Sequence, residues 1–157
     1  MKNIVKYSSI LILALLIIVG IGCKTGKKAE TAYGASTTND TTLIHLKKGN
    51  ELLDKKDYKG ALEELNKAVL LNADNGEAYA YRGMAKYHLK DYKGAIADYD
   101  EALKLIPDYG EVYDLRGVAK AELGDKVAAC EDWNKAFELG FNKAYTLIEK
   151  FCIDDNK

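Results

Sequence analysis

The stretch RGMAKYHLKDYKGAIADYDEA, residues 82–102, returns thirty-four residues later as RGVAKAELGDKVAACEDWNKA, residues 116–136. The match extends backwards to a third, earlier copy. Gly49, Gly83 and Gly117 keep one spacing, as do Asp57, Asp91 and Asp125; Ala61, Ala95 and Ala129; Ala68, Ala102 and Ala136; and Leu71, Leu105 and Leu139. Five columns at one interval are an internal repeat, and a repeat of this length decides the architecture before any single element does.

Composition agrees with helices. The 157 residues include one proline, Pro107, and are 48% hydrophobic and 30% charged. Almost nothing punctuates the chain, and Ala, Leu, Lys and Glu favour helix over short strands. In each copy the turn between the two helical segments carries the repeated aspartate, a residue suited to cap the second helix by accepting backbone N–H bonds. The small residues Gly83, Ala95 and Ala102 permit close backbone approach, and Tyr79 and Tyr99 fill the space beside them.

At these positions the sequence resembles the tetratricopeptide repeat. The middle copy, 76–109, has Tyr79, Gly83, Ala95, Tyr99, Ala102 and Pro107 in the family's places; the third, 110–143, has Tyr113, Gly117, Ala129, Trp133 and Ala136. The first, 42–75, keeps Gly49, Ala61 and Ala68 but has His45 and Leu65 where aromatics stand and Ala73 in place of proline. The resemblance implies an all-α solenoid of three helix hairpins. A capping helix and tail follow over 144–157, because a hairpin stack must bury its last apolar flank, and Ala144, Leu147, Ile148 and Phe151 recur at helical spacing.

The resemblance also implies a concave groove lined by the first helix of each copy. The matching positions are Leu43, Leu46, Asn50 and Leu53; Ala80, Met84, Tyr87 and His88; and Glu111, Asp114, Val118, Ala121 and Glu122. Such a groove grades from apolar to acidic and suits a peptide or protein partner. Some family members grip a terminal carboxylate with Lys and Asn. Asn50 fits that mode, but Leu46 and Glu111 stand where a donor or cation is needed. The expected role is therefore a non-enzymatic scaffold; the alternatives are a structural protein that self-associates through its solenoid ends, or an accessory subunit of an envelope enzyme.

Ahead of the repeats, residues 1–22 read as an export signal: Lys2 and Lys6, then an apolar run over residues 10–22. As a helix that run spans about 20 Å against a hydrocarbon core of about 30 Å. Gly22 and Cys23 resemble the acylation site of bacterial lipoproteins, although Gly20 departs from the branched apolar residue expected there. The resemblance implies a lipidated Cys23 and a membrane-anchored protein exported to the bacterial cell envelope, with 23–41 a polar, flexible linker.

Beyond residue 22 the charge is 21 basic against 24 acidic residues, interspersed. That balance lacks the basic face a nucleic-acid binder needs. His45, His88, Cys130 and Cys152 show none of the short spacings of a zinc site, and no phosphate loop or catalytic motif occurs, so neither metal nor cofactor is expected. Cys130 replaces Leu62 and Ile96 of the earlier copies on a stripe facing the next element. In an oxidising compartment Cys130 and Cys152 are then candidate disulfide partners, or two reduced cysteines buried as small apolar side chains.

Overall fold

The structure, a computed structural model, describes residues 26–153, with side chains from Asp40 onward. It consists of helices α1 (Gly26–Asp54), α2 (Tyr58–Leu71), α3 (Gly76–His88), α4 (Tyr92–Leu105), α5 (Gly110–Glu122), α6 (Lys126–Glu138) and α7 (Ala144–Phe151). From Asp40 onward the described residues make one compact unit, in which each helix packs on the next, α2 on α3 through α6 on α7. No strand occurs among the described residues.

The signal segment and Cys23 lie outside the described residues, and the linker expected over 23–41 is helical from Gly26. Ala29, Glu30, Ala32 and Ala35 favour helix and no proline interrupts the segment, while Gly34 and the Ser and Thr residues after it are weak helix formers.

Each hairpin is closed by the same device. The α1, α3 and α5 ends carry paired bonds that satisfy their last carbonyls: Asp57 N–H to Leu52 O and Lys56 N–H to Leu53 O, both 2.9 Å, with the counterparts Asp91 to Lys86 and Lys90 to Tyr87 in the second copy. The bonds require a left-handed residue, which is Lys56, Lys90 and Gly124 in turn, at φ of 60°, 66° and 86°. The next residue caps the second helix. Asp57, Asp91 and Asp125 accept from Gly60, Gly94 and Ala128 N–H at 3.1, 2.9 and 3.1 Å.

Inside a hairpin the glycine column meets the large column. A Cβ on Gly49 would lie 2.6 Å from the Leu65 side chain, one on Gly83 2.6 Å from the Tyr99 ring, and one on Gly117 2.7 Å from Trp133 Nε1. The large residue grows from Leu to Tyr to Trp while the backbone approach is kept. Around them Ala61, Ala68, Ala95, Ala102, Ala129 and Ala136 are fully buried, so the seam is a dense small-and-large interlock.

The first hairpin differs because nothing among the described residues packs on its outer flank. Ala78 and Val112, which meet the preceding hairpin, are 0% and 1% exposed, whereas Ile44 in the same repeat position is 63% exposed. Glu51 likewise stands where Ala85 and Ala119 are buried. At the other end α7 supplies Ala144 and Ile148 to the core and sets Phe151 against Trp133 with ring centroids 5.5 Å apart. Cys130 and Cys152 are joined as a disulfide, Cα atoms 5.8 Å apart, which ties the end of α7 to α6.

Candidate functional site: the inner-helix groove

The first helix of each hairpin contributes to one face, on which two clefts open. One, of about 340 Å³, lies between α1 and α3 and is lined by Leu43, Leu46, Lys47, Asn50, Glu77 and Tyr81. The other, of about 280 Å³, lies between α5 and α7 over Trp133, with Val118, Ala121, Glu122, Leu147 and Phe151 as its walls. Between them α3 touches α5, and the Tyr87 hydroxyl donates to Glu122 Oε1 at 3.4 Å.

Of the residues expected to line the groove, the structure gathers Leu46 and Asn50 in the first cleft and Val118, Ala121 and Glu122 in the second. Met84 is half-buried between the first two core layers. Leu53 and Ala80 are corrections: at 8% and 2% exposure they belong to the core, and Leu46 at 7% is only a floor. Inner helices sit close enough for the next one to cover these positions, a fact that helical spacing alone does not reveal. His88 is a second correction. Its ring stacks on Tyr58 of α2, centroids 4.3 Å apart and planes 11° from parallel, so it serves the seam with the outer helix.

Sequence reasoning missed Lys47, Glu77, Tyr81, Leu147, Phe151 and the floor residue Trp133. Glu77 shares the column of Leu43 and Glu111, and Lys47 that of Tyr81, so the repeat spacing carried the signal.

The electrostatics of the face follow from where its cations go. Arg82 turns away from the groove and holds Asp98 through Nε and a terminal nitrogen at 2.8 and 2.7 Å, and Lys86 joins at 2.8 Å. One repeat on, Arg116 holds Asp132 at 2.9 and 2.6 Å with Lys120 at 2.8 Å. Arg116 also reaches back to Asp100 at 2.7 Å. In the first hairpin Glu64 takes the place of these aspartates, bonded by His45 at 2.7 Å and by Lys48 and Lys67 at 3.0 Å. Those bonds, His45's first, hold the Glu64 carboxyl down at about 2. His45, at an aromatic position of the repeat, thus acts as a hydrogen-bond partner.

With these cations engaged, the groove keeps its carboxylates. Burial first, then Glu77, Glu111 and Asp54, pushes the Tyr81 phenol up. Tyr109 rises to about 12 through burial, Tyr81, Glu111 and Glu77. Asp114 is raised by burial and then by Glu111, with Lys143 opposing, and its Oδ1 is buried without a hydrogen-bond partner. No group of His, Cys, Asp and Glu that could hold a metal ion occurs among the described residues.

Known proteins place this fold. No curated protein matches the chain. A family model described as tetratricopeptide repeat matches residues 46–110. Among solved structures, the first TPR of Spaghetti (RPAP3) bound to HSP90 peptide SRMEEVD is 25% identical at a TM-score of 0.69, over 71% of this chain and 90% of that one. The Arabidopsis OM64 TPR domain is 25% identical at 0.69, over 72% and 94%. The first TPR domain of human RPAP3 is 26% identical at 0.68, over 71% and 89%. Three hairpins with one packing code, a repeat model matched over residues 46–110 and solved domains of the same shape give this chain the tetratricopeptide-repeat fold.

Proposed function

We propose that this protein is a non-enzymatic scaffold that holds a peptide or a segment of a partner protein on its inner-helix face. The observation that carries the reading is the pair of clefts on that face, floored by Leu46 and Trp133 and edged by the polar groups of Lys47, Asn50, Glu77 and Glu122. A concave, mostly apolar cleft with a few convergent polar groups is the ordinary form of a recognition site. The similar domain of RPAP3, bound to a peptide, supports the same use of the fold.

The anchoring half of the proposal rests on the sequence. Residues 1–22 direct export to the bacterial cell envelope, and Cys23 carries the lipid that keeps the protein at a membrane. No helix among the described residues is long and apolar enough to cross one. Cys23→Ala should release the protein into the soluble fraction and abolish labelling by a fatty-acid probe; unchanged labelling removes the lipid from the proposal.

The groove is tested by Met84→Ala with Tyr87→Ala. Crosslinking in intact cells should capture a partner with the native chain and lose it with this variant, whose helix content is checked by circular dichroism. Capture undiminished by the double substitution moves the partner elsewhere. One observation favours self-association instead: Ile44 at one end and Val127 at the other are 63% and 73% exposed. Sedimentation separates the two, since a monomer at every concentration leaves only the groove.

A further inference from the structure

The inner helices repeat their groove positions from hairpin to hairpin, and one column contains an anomaly. Leu46 and Ala80 occupy it in the first two hairpins, at 7% and 2% exposure, each covered by the next inner helix. The third member is Asp114. A half-buried carboxylate stands in a column that is apolar in the first two hairpins, and its Oδ1 is shielded from solvent without a hydrogen bond. Shielding a carboxylate oxygen without a partner is costly, and groups that break a local rule in this way concentrate at functional sites.

Asp114 is not alone on the face. Glu111 raises its carboxyl, and Glu77 and Glu111 together act on the phenols of Tyr81 and Tyr109, so these carboxylates share one neighbourhood. Glu77 and Glu111 are exposed and have no ion-pair partner among the described residues. The cations that alternate with them along α3 and α5, Arg82, Lys86, Arg116 and Lys120, are all committed to Asp98 and Asp132. Lys47 is the cation that lines the α1–α3 cleft, and Lys143 the one that acts on Asp114. Beside the carboxylates, the cleft of about 340 Å³ offers Leu43, 58% exposed, and the half-buried Tyr81 to an apolar side chain.

We propose that the groove takes a basic polypeptide segment: an apolar side chain seated between α1 and α3 against Leu43 and Tyr81, and a lysine or arginine donating to Glu77, Glu111 and Asp114. The inference rests on the groove reading and adds the charge of its occupant. The occupant is opposite in sign to the acidic end of the SRMEEVD peptide bound by the RPAP3 domain. Charge complementarity of this kind selects partners and speeds encounter, and like charges on an acidic segment would repel it.

The test uses the full chain in neutral detergent and two fluorescent peptides of equal length, one alternating Leu with Lys and the other Leu with Glu. Fluorescence anisotropy should show the Lys peptide binding and weakening as salt rises, with the Glu peptide at least about tenfold weaker. Glu111→Gln with Asp114→Asn should cost the Lys peptide about five- to tenfold. Glu63→Gln with Glu131→Gln, equal in charge but on the outer helices, should leave affinity unchanged; an equal loss there means long-range attraction alone and overturns the site. Preferred binding of the Glu peptide, lost in Met84→Ala with Tyr87→Ala, overturns the charge assignment and leaves the groove standing. Binding of neither peptide overturns both.

Discussion

The Arg116 guanidinium clasps Asp132 through two hydrogen bonds of 2.9 and 2.6 Å across the seam of one hairpin. Its remaining terminal nitrogen reaches Asp100 of the preceding hairpin. One side chain therefore closes a hairpin and joins it to its neighbour. Asp132 is 5% exposed, so removing the arginine leaves a buried carboxylate with Lys120 alone. Arg116→Ala should lower unfolding free energy by about 2–4 kcal/mol, a broken buried pair discounted for the partner that stays. Lys135→Ala, which breaks an exposed pair with Glu138 at 3.2 Å, should cost less than about 0.5 kcal/mol. Urea denaturation of the purified protein measures both, and equal losses would show that the clasp adds nothing beyond a surface pair.

The same hairpins show what the sequence makes legible. Asp57, Asp91 and Asp125 could be read as caps because a cap is local: the side chain serves an N–H three residues on. The glycine and alanine columns were legible because each repeats with its contact. Asp98 and Asp132 repeat at the same interval and still looked like ordinary surface charge, since only the rotation of each helix turns them inward to the arginines. The groove failed in the same way by a fraction of a turn. Leu53 and Ala80 rotated into the core, and Tyr81 and Glu77 rotated into the cleft.

Acid should attack the first hairpin by a defined route. Glu64 is held at about 2 against an ordinary value of 4.5. A carboxyl depressed on folding stabilises the folded state above its unfolded value, and that stability is lost as pH falls through the folded one. The contribution should therefore be complete above about pH 4.5 and gone near pH 2. Glu64→Gln should flatten this part of the stability curve, read by thermal melts across the window; a parallel curve would refute the His45 and lysine pairing.

The disulfide makes α7 dependent on oxidation. It spans a sequence separation of 22, which on the loop-entropy model contributes about 3 kcal/mol. Because α7 has only eight residues and no side-chain cap at its start, reduction should free it before the hairpins unfold. Trp133, the one tryptophan of the chain, reports this directly, since it is 1% exposed and packed against Phe151. A thiol reductant, or Cys152→Ser, should shift its emission to the red and lower the melting temperature. Unchanged emission would mean that Ile148 and Phe151 hold α7 without the bridge.

Asp114 should trade stability for binding. Its carboxyl is raised by burial and by Glu111, so the folded state prefers it protonated, and stability is lost as pH rises from the unfolded value of 3.8 through the folded one. At neutral pH the ionised group therefore opposes folding, and Asp114→Asn, equal in size and uncharged, should raise stability. A carboxylate placed for packing alone would behave in the opposite sense, because its loss would leave a former partner unsatisfied. Oδ1 has no such partner. Denaturant melts of the native chain and Asp114→Asn at neutral pH decide the sign, and a gain that disappears near pH 3 would tie it to ionisation rather than to a change in packing.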